Sequence, residues 1–526
     1  MEKKCNPTMK EQYLNNLRTL DQYYDEYLNE ITINSSRPGE VVSGSRFLGY
    51  IDTLMATCAT FLVLPIRNLN EMEKNESLWS FIYSIRAHII VFFLGFIIVL
   101  NIWENINIRA MVVKRIDDFI LIFITLSLLA TSVIPFSLAF QQHYIDKKVS
   151  IILTCGILGL IQVIDIILVL YAMKTPAVLH IAMQSWSTVE TKNFRNRFLI
   201  RPVISLVLLV IGVIFCFVHY IISLVFIGVF TLMPTVRKLV LYYRRRILCP
   251  KKMGKELFGY YFSKGNILKE RVEAMSDGAM AVIASILVLD LISKKLPTQI
   301  YVKENGLYVL LVQMKLEILT FMTAFITVSV LWYTNHTVLH LFKSVTTVML
   351  HLQKIFLAFS CLCPLAGSMV FEYSSHENDD SNHSIFLSSI IICLSSSSNL
   401  MILLYGLFTG SKYLHHWAAF GSFKANVNQH LYVIIKASNI PFWSLISIIG
   451  SFSSPKIAKY IMYTCIAALL LSFFILKLVF MNHVGKTNNL HKPLLEDINT
   501  KIERNENLQR NRKKTVSSII NFDLLQ

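Results

Sequence analysis

Twelve apolar segments divide this 526-residue chain. They run near 47–66, 79–103, 118–140, 149–173, 200–218, 220–240, 272–292, 306–332, 345–371, 385–408, 430–450 and 457–481. Each is close to the ~20 residues that cross a bilayer as an α-helix. In hydrocarbon every backbone polar group must be satisfied within the segment, which restricts a chain like this to helices. Charged residues make up 16% of the sequence, against roughly 25% in soluble domains. Mean hydropathy is +0.53. A soluble enzyme, a disordered protein and a disulfide scaffold are excluded, and the fold class is an all-α polytopic membrane protein.

The formal net charge is +17. In a chain this apolar the excess marks basic loops on one side of the membrane, with a preference for anionic lipid, and not nucleic-acid binding. Between Arg237 and Val272 stand eleven Lys or Arg against Glu256 and Glu270. A cytosolic N-terminus puts Arg109, Lys114, Arg115, Lys174, Lys192, Arg195 and this basic stretch on the cytosolic side. The acidic stretch of Glu372, Glu377, Asp379 and Asp380 then lies outside. The sequons at Asn75 and Asn382 fall in outer loops on the same reading and are candidate glycosylation sites. Seven of the nine cysteines lie within apolar runs and read as small core residues. His336 and His340 have i, i+4 spacing but no carboxylate or Cys beside them, so no metal site is expected.

The chain repeats itself. From Arg46 it reads RFLGYIDTLMATCATFLVLPI, and from Arg271 RVEAMSDGAMAVIASILVLDL. Eight of these 21 positions are identical without a gap, including Arg46/Arg271, Asp52/Asp277 and the Leu-Val-Leu that ends at Leu64 and Leu289. Arg86 stands 17 residues before Trp103, as Lys315 does before Trp332. Twelve spans are therefore two six-helix repeats, and because six is even the copies are parallel. The expected division is an N-terminal segment 1–45, a first repeat 46–240, a basic linker 241–270, a second repeat 271–481 and a polar, disordered tail 482–526.

Charge inside a span is costly and marks function or a paired contact. The six-residue spacing from Arg46 to Asp52, and from Arg271 to Asp277, is too wide for a pair within one helix. Each is expected to bind a neighbouring helix or a backbone carbonyl. Thr53, Thr57 and Thr60 recur on one face of the first helix, matched by Gly278, Val282 and Ser285 in the second copy. Such a stripe suits close helix packing or a pore lining. Asp165 is expected to partner an Arg or His on a neighbouring span, with proton sensing as the alternative. No Walker loop, HExxH, nucleophile elbow or TVGYG filter occurs, so no enzyme chemistry is expected.

At Lys269–Gly278 and on through Asp290, the chain resembles the second repeat of the endosomal/lysosomal potassium channel family known as transmembrane protein 175. That family's signature is RxxxFSD in the first helix of each six-helix repeat. Leu331–His336 resembles its end of the second helix. The resemblance implies a dimer in which four first helices surround one pore that passes potassium across endosomal or lysosomal membranes, with protons permeating or activating it. It implies a gate five residues after the motif Asp, at Thr57 and Val282, and a hydroxyl layer eight after it, at Thr60 and Ser285. Thr53, Gly278, Leu64 and Leu289 complete the lining. Arg46, Asp52, Trp103, Arg271, Ser276, Asp277, Trp332 and Asn335 form the motif's polar network.

The departures are specific. The first motif lacks the Phe-Ser pair, having Tyr50 and Ile51, and the second has Met275 where Phe is usual. The family gate is isoleucine in both copies, whereas Thr57 and Val282 make a more polar constriction. A hydrophobic gate works by dewetting, so easier wetting and weaker potassium selectivity are expected. The rival readings are a secondary transporter of two six-helix halves and a non-conducting scaffold. Against the transporter, the first helices have no mid-span proline; Pro65 is terminal.

Overall fold

The computed structural model describes residues 44–68, 78–113, 115–179, 186–247, 267–295, 315–374, 379–409, 413–415 and 427–480, with positions 183, 308, 309, 312 and 418. The N-terminal segment before residue 44, the sequon at Asn75, most of the basic linker and the tail lie outside the described residues.

Helices follow where the apolar runs lie. The first repeat comprises α1 (Gly44–Ile66), α2 (Leu78–Ala110), α3 (Asp118–His143), α4 (Lys148–Lys174), α5 (Thr188–Cys216) and α6 (Tyr220–Ile247). The second comprises α7 (Lys269–Lys295), α8 (Lys315–His340), α9 (Thr347–Val370), α10 (Asp379–Phe408), α11 (Val427–Gly450) and α12 (Pro455–Phe480). Eleven are long and apolar enough to cross a bilayer, and α6 adds a shorter apolar run over Tyr220–Val236. The described residues form a nearly all-helical, multi-pass membrane protein of two parallel six-helix repeats. The fifth span begins at Thr188, earlier than its apolar run, because a Ser187–Glu190 capping box starts the helix in a polar stretch.

The repeat extends to details that hydropathy does not signal. The third span of each copy is broken after fifteen residues, α3 at Val133 and α9 at Leu362. Pro135 and Pro364 follow these breaks two residues on; proline lacks the N–H an unbroken helix needs there. Both spans start on a side-chain cap. Asp117 accepts from the Ile120 N–H at 2.9 Å, and Thr346 from the Met349 N–H at 3.3 Å. In each repeat the loop after the second span pairs antiparallel with the loop after the fourth, through Val113–Leu179 and Phe342–Leu414.

The core lies where the two repeats meet. Trp103, Phe92 and Phe96 of α2 are fully buried, as are Ile51, Met55 and Leu62 of α1 and Phe356 of α9. Apolar side chains of α5, α6 and α12, such as Val210, Val225 and Phe474, are exposed. That is the exposure a lipid-facing helix requires.

The caps differ in reach, because Asp117 Oδ2 also accepts a 2.5 Å bond from the Tyr171 hydroxyl of α4. Thr346→Ala should cost about 1 kcal/mol, the usual worth of a cap. Asp117→Ala should cost about 1 kcal/mol more, since a tertiary bond goes with the cap. Melting midpoints of the purified variants in detergent check the order.

Candidate functional site: the paired first helices

The first helices α1 and α7 pack directly on one another. A missing side chain makes room for the contact. A Cβ on Gly278 would stand 3.1 Å from Ala56 Cβ and 3.6 Å from Thr53 Cα. Small residues at such a crossing let helix backbones approach, which is how helices associate where no hydrophobic effect is available.

Beside this crossing sits Asp52, fully buried. Trp103 Nε1 of α2 donates to its Oδ1 at 2.8 Å, and Arg271 of α7 donates to Oδ2 at 3.0 Å. The Trp103 carbonyl in turn accepts from Asn107 Nδ2 at 3.0 Å. A buried carboxylate is tolerated only when paired and hydrogen-bonded, and Asp52 has both. The motif Arg therefore bonds the motif Asp of the other repeat, not that of its own helix.

The second copy is built differently. Trp332 Nε1 donates to Asp277 Oδ1 at 2.8 Å, as in the first repeat, but this pair is exposed. Arg46, the counterpart of Arg271, is also exposed.

The asymmetry follows the helix faces. On α7, Asp277, Ala281, Ser285 and Val288 form one exposed stripe. Their counterparts Asp52, Ala56, Thr60 and Val63 are fully buried, on the face of α1 that carries Ala56 against Gly278. Conversely Tyr50, Thr53 and Phe61 are exposed on α1. Their counterparts Met275, Gly278 and Ile286 are buried or half-buried on α7. Each open face thus matches the face that its counterpart helix has covered. The open face of α1 lines a cavity of about 830 Å³, floored by Tyr50, Thr53, Thr57 and Phe61 and walled by Pro135 and Phe136 of α3.

The hydroxyls of this stripe bond backwards along their own helices. Thr53 donates to the Gly49 carbonyl, Thr57 to Thr53, Thr60 to Ala56, and Ser285 to Ala281, all at 2.9–3.0 Å. A hydroxyl whose proton is spent on the backbone keeps its acceptor lone pairs. At exposed Thr53 and Ser285 those lone pairs remain available to water or a cation. Thr57 and Val282 are half-buried, Leu64 is half-buried and Leu289 is exposed.

The remaining motif residues form a network in the second repeat. Ser276 accepts from Gln353 Nε2 at 2.8 Å, Gln353 and Asn335 exchange two bonds at 3.0 and 3.1 Å, and Asn335 donates to Asn399 at 3.2 Å. All four are buried. Their counterparts in the first repeat are Ile51, Ile106, Ile124 and Ile164, taking the spacing of the motif helices, the paired tryptophans and the two loop bridges as the guide. Thus the Ser missing from the first motif is one of four polar residues replaced together. Exchanging every partner for an apolar group is close to neutral, whereas exchanging one leaves the others unsatisfied.

Asp165 pairs with Arg109 of α2. Sequence reasoning missed a second ionic contact. Lys354 of α9 donates to Glu104 at 3.0 Å and Asn101 at 3.1 Å, all three buried. Its signal was present, since both charges stand within apolar spans. Asn382 lies in α10 with its amide nitrogen donating to the Ser453 carbonyl at 2.8 Å.

A two-repeat helical bundle whose first helices carry a matched acid–indole pair, one of them clamped across the repeats by an arginine, defines a pseudo-symmetric multi-pass membrane protein. Residues 46–135 and 271–364 match the family described as endosomal/lysosomal potassium channel TMEM175, once in each repeat. The chain is thus similar to the TMEM175 family in both repeats. It is 26% identical over 429 residues to the zebrafish (Danio rerio) protein named endosomal/lysosomal proton channel TMEM175, covering 78% of this chain and 80% of that one. To the human (Homo sapiens) protein of the same name it is 25% identical over 447 residues, covering 82% and 86%. A solved structure, a lysosomal potassium-selective channel TMEM175 homolog from Chamaesiphon minutus, is 18% identical, with a TM-score of 0.32, over 39% of this chain and 97% of that one.

Two outcomes check the site. Trp103→Phe should destabilise the protein by about 1.5–3 kcal/mol, the worth of a bond to a charged group, and Trp332→Phe by less, because Asp277 is exposed to other donors. Ser276→Ile alone should cost about 1–3 kcal/mol by stranding Gln353, and adding Gln353→Ile, Asn335→Ile and Asn399→Ile should recover most of it. Detergent melting curves measure both.

Proposed function

We propose that the chain is a passive cation channel of endosomal or lysosomal membranes, permeable to potassium and to protons, and that two copies close one central pore. The observation that carries this reading is the complementarity of the open faces on α1 and α7. Within one chain, the Asp52 face of α1 meets the Gly278 face of α7. The Asp277 face of α7 and the Thr53 face of α1 remain open, and they are the counterparts of the two that have already met. A second copy joins them with the same geometry, pairing the Arg46 of one protomer with the Asp277 of the other. Four first helices then surround one axis.

In that ring Thr53, Gly278, Ser285, Leu64 and Leu289 line the pore, Thr57 with Val282 forms the constriction, and Thr60, expected in the lining, is buried in the α1–α7 contact. Hydroxyls that donate to the backbone leave oxygen lone pairs for a partly dehydrated potassium ion. No carbonyl filter is needed, so selectivity is modest, and the polar Thr57 layer wets more readily than an apolar one would. The naming of the relatives as proton channels, and the description of the matching family as a potassium channel, support both ions as cargo. The basic residues flanking the spans support a cytosolic N-terminus, and the repeats are assigned to 46–240 and 271–481, joined by the basic linker 241–270.

Patch-clamp recording of the expressed protein under bi-ionic potassium/sodium conditions, with luminal pH varied, tests the reading. A reversal potential moving with both the potassium and the proton gradients is expected. Thr57→Ile should raise the potassium/sodium permeability ratio several-fold and lower basal current. Unchanged conductance and selectivity in that variant would reject the gate, and no current from protein at the membrane would reject the channel. Arg46→Asp should weaken the dimer, and Arg46→Asp with Asp277→Arg should restore it in size-exclusion profiles.

A further inference from the structure

From the second span into the third the repeats align without a gap. Trp103 with Trp332, Val113 with Phe342, Asp117 with Thr346 and Pro135 with Pro364 are each 229 residues apart. The same spacing identifies what stands opposite any residue of this region in the other repeat. Within the chain, α2 of the first repeat lies against α9 of the second. Phe93 and Phe359 meet there with ring centroids 5.5 Å apart. Deeper in the same seam the Lys354 ammonium binds Glu104 Oε2 at 3.0 Å and Asn101 Oδ1 at 3.1 Å. Asn101 Nδ2 continues the link to the Thr231 carbonyl of α6 at 3.0 Å.

The counterpart of Lys354 is Thr125, and those of Glu104 and Asn101 are Tyr333 and Val330. Thr125 is exposed on α3, and Tyr333 is 44% exposed on α8. These are the surfaces that a second copy covers when it repeats the α2–α9 contact as α8 against the partner's α3. We infer that Lys354 and Glu104 are positioning residues that lock the seam within each chain, and that the seam between chains, which has no buried pair at these positions and only the exposed Arg46 and Asp277 to pair across it, is the one that moves when the pore opens. The inference rests on the dimer reading above and adds which joint yields.

The physical reason is the difference in what separation exposes. Parting Lys354 from Glu104 leaves two unpaired charges in a water-excluded interior, and a buried pair with one partner lost is strongly unfavourable. Parting a threonine from a tyrosine and a valine exposes one hydroxyl and some apolar area, and an Arg46–Asp277 pair between exposed residues is worth little. Each chain's α1 and α7 therefore travel together as a half-ring, with the Asp52–Arg271 bond intact inside each half. Opening is two-fold, by separation of two half-rings, and not four-fold by independent tilting of the first helices.

Disulfide trapping tests it on the full chain. In Thr125→Cys/Tyr333→Cys, mild oxidation should give a covalent dimer on a non-reducing gel. Current should fall at least tenfold and return on adding dithiothreitol. Tyr333→Glu/Thr125→Lys, which installs the missing ion pair, should lower open probability beyond the product of the two single-variant effects. A covalent dimer that conducts like the reduced protein would overturn the inference while leaving the dimer intact. A protein that is dimeric by size but yields no covalent dimer would overturn it too, because α8 and the partner's α3 would then not face each other. A monomeric, conducting protein would instead remove the dimer reading and this inference with it.

Discussion

Everything around the candidate site depends on one buried carboxylate. Asp52 sits at zero exposure between two repeats, and its two oxygens are held by an indole from its own repeat and a guanidinium from the other. In a low-dielectric interior such a group cannot be left half-satisfied. It therefore fixes the rotation of α1 relative to α2 and the height of α7 relative to α1 together. The Gly278 crossing supplies the closeness and Asp52 supplies the register. Neither would specify the arrangement alone: small residues permit many sliding positions, whereas the bonds to Asp52 select one.

Much of this was legible from the sequence because repetition separates signal from composition. A lone Arg or Asp near the end of an apolar run says little. The same Arg and Asp at matched places in two runs, each followed by a Trp at a fixed distance from a basic residue, point to a shared contact. The expectation that Arg46 and Arg271 serve a neighbouring helix and not their own follows from spacing, and Arg271 does so. What spacing does not reveal is that the two copies stand in different surroundings. Thr60 and Ser285 align perfectly, yet one is buried and the other exposed, because only α1 has its acid face covered within the chain.

Three features escaped for separate reasons. The Lys354–Glu104 contact joins residues 250 apart, and no local period reports a pairing of that separation. The Gln353 and Asn399 members of the polar quartet lie in spans where isolated amides look like ordinary tolerance. The loop bridges at Val113 and Phe342 are single residue pairs, too short for any strand pattern. Pro135 and Pro364 accompany the breaks in the third spans, but Pro202, Pro234 and Pro441 stand inside unbroken helices, so residue type alone does not mark a break.

The isoleucine quartet of the first repeat and the polar quartet of the second carry a consequence for ancestry. If both repeats descend from one duplicated unit, one lineage crossed from four mutually bonded polar residues to four isoleucines, or the reverse. Each intermediate with a mixed set strands at least one buried amide or hydroxyl, so single steps are individually harmful while the endpoints are both sound. Such a transition is epistatic: it is traversed through conditions that tolerate a weakened fold, or through a unit whose twin still carries the burden. Duplication provides that second circumstance. The two halves of this chain are therefore no longer interchangeable parts, and a residue transplanted from one to the other brings its neighbours' history with it.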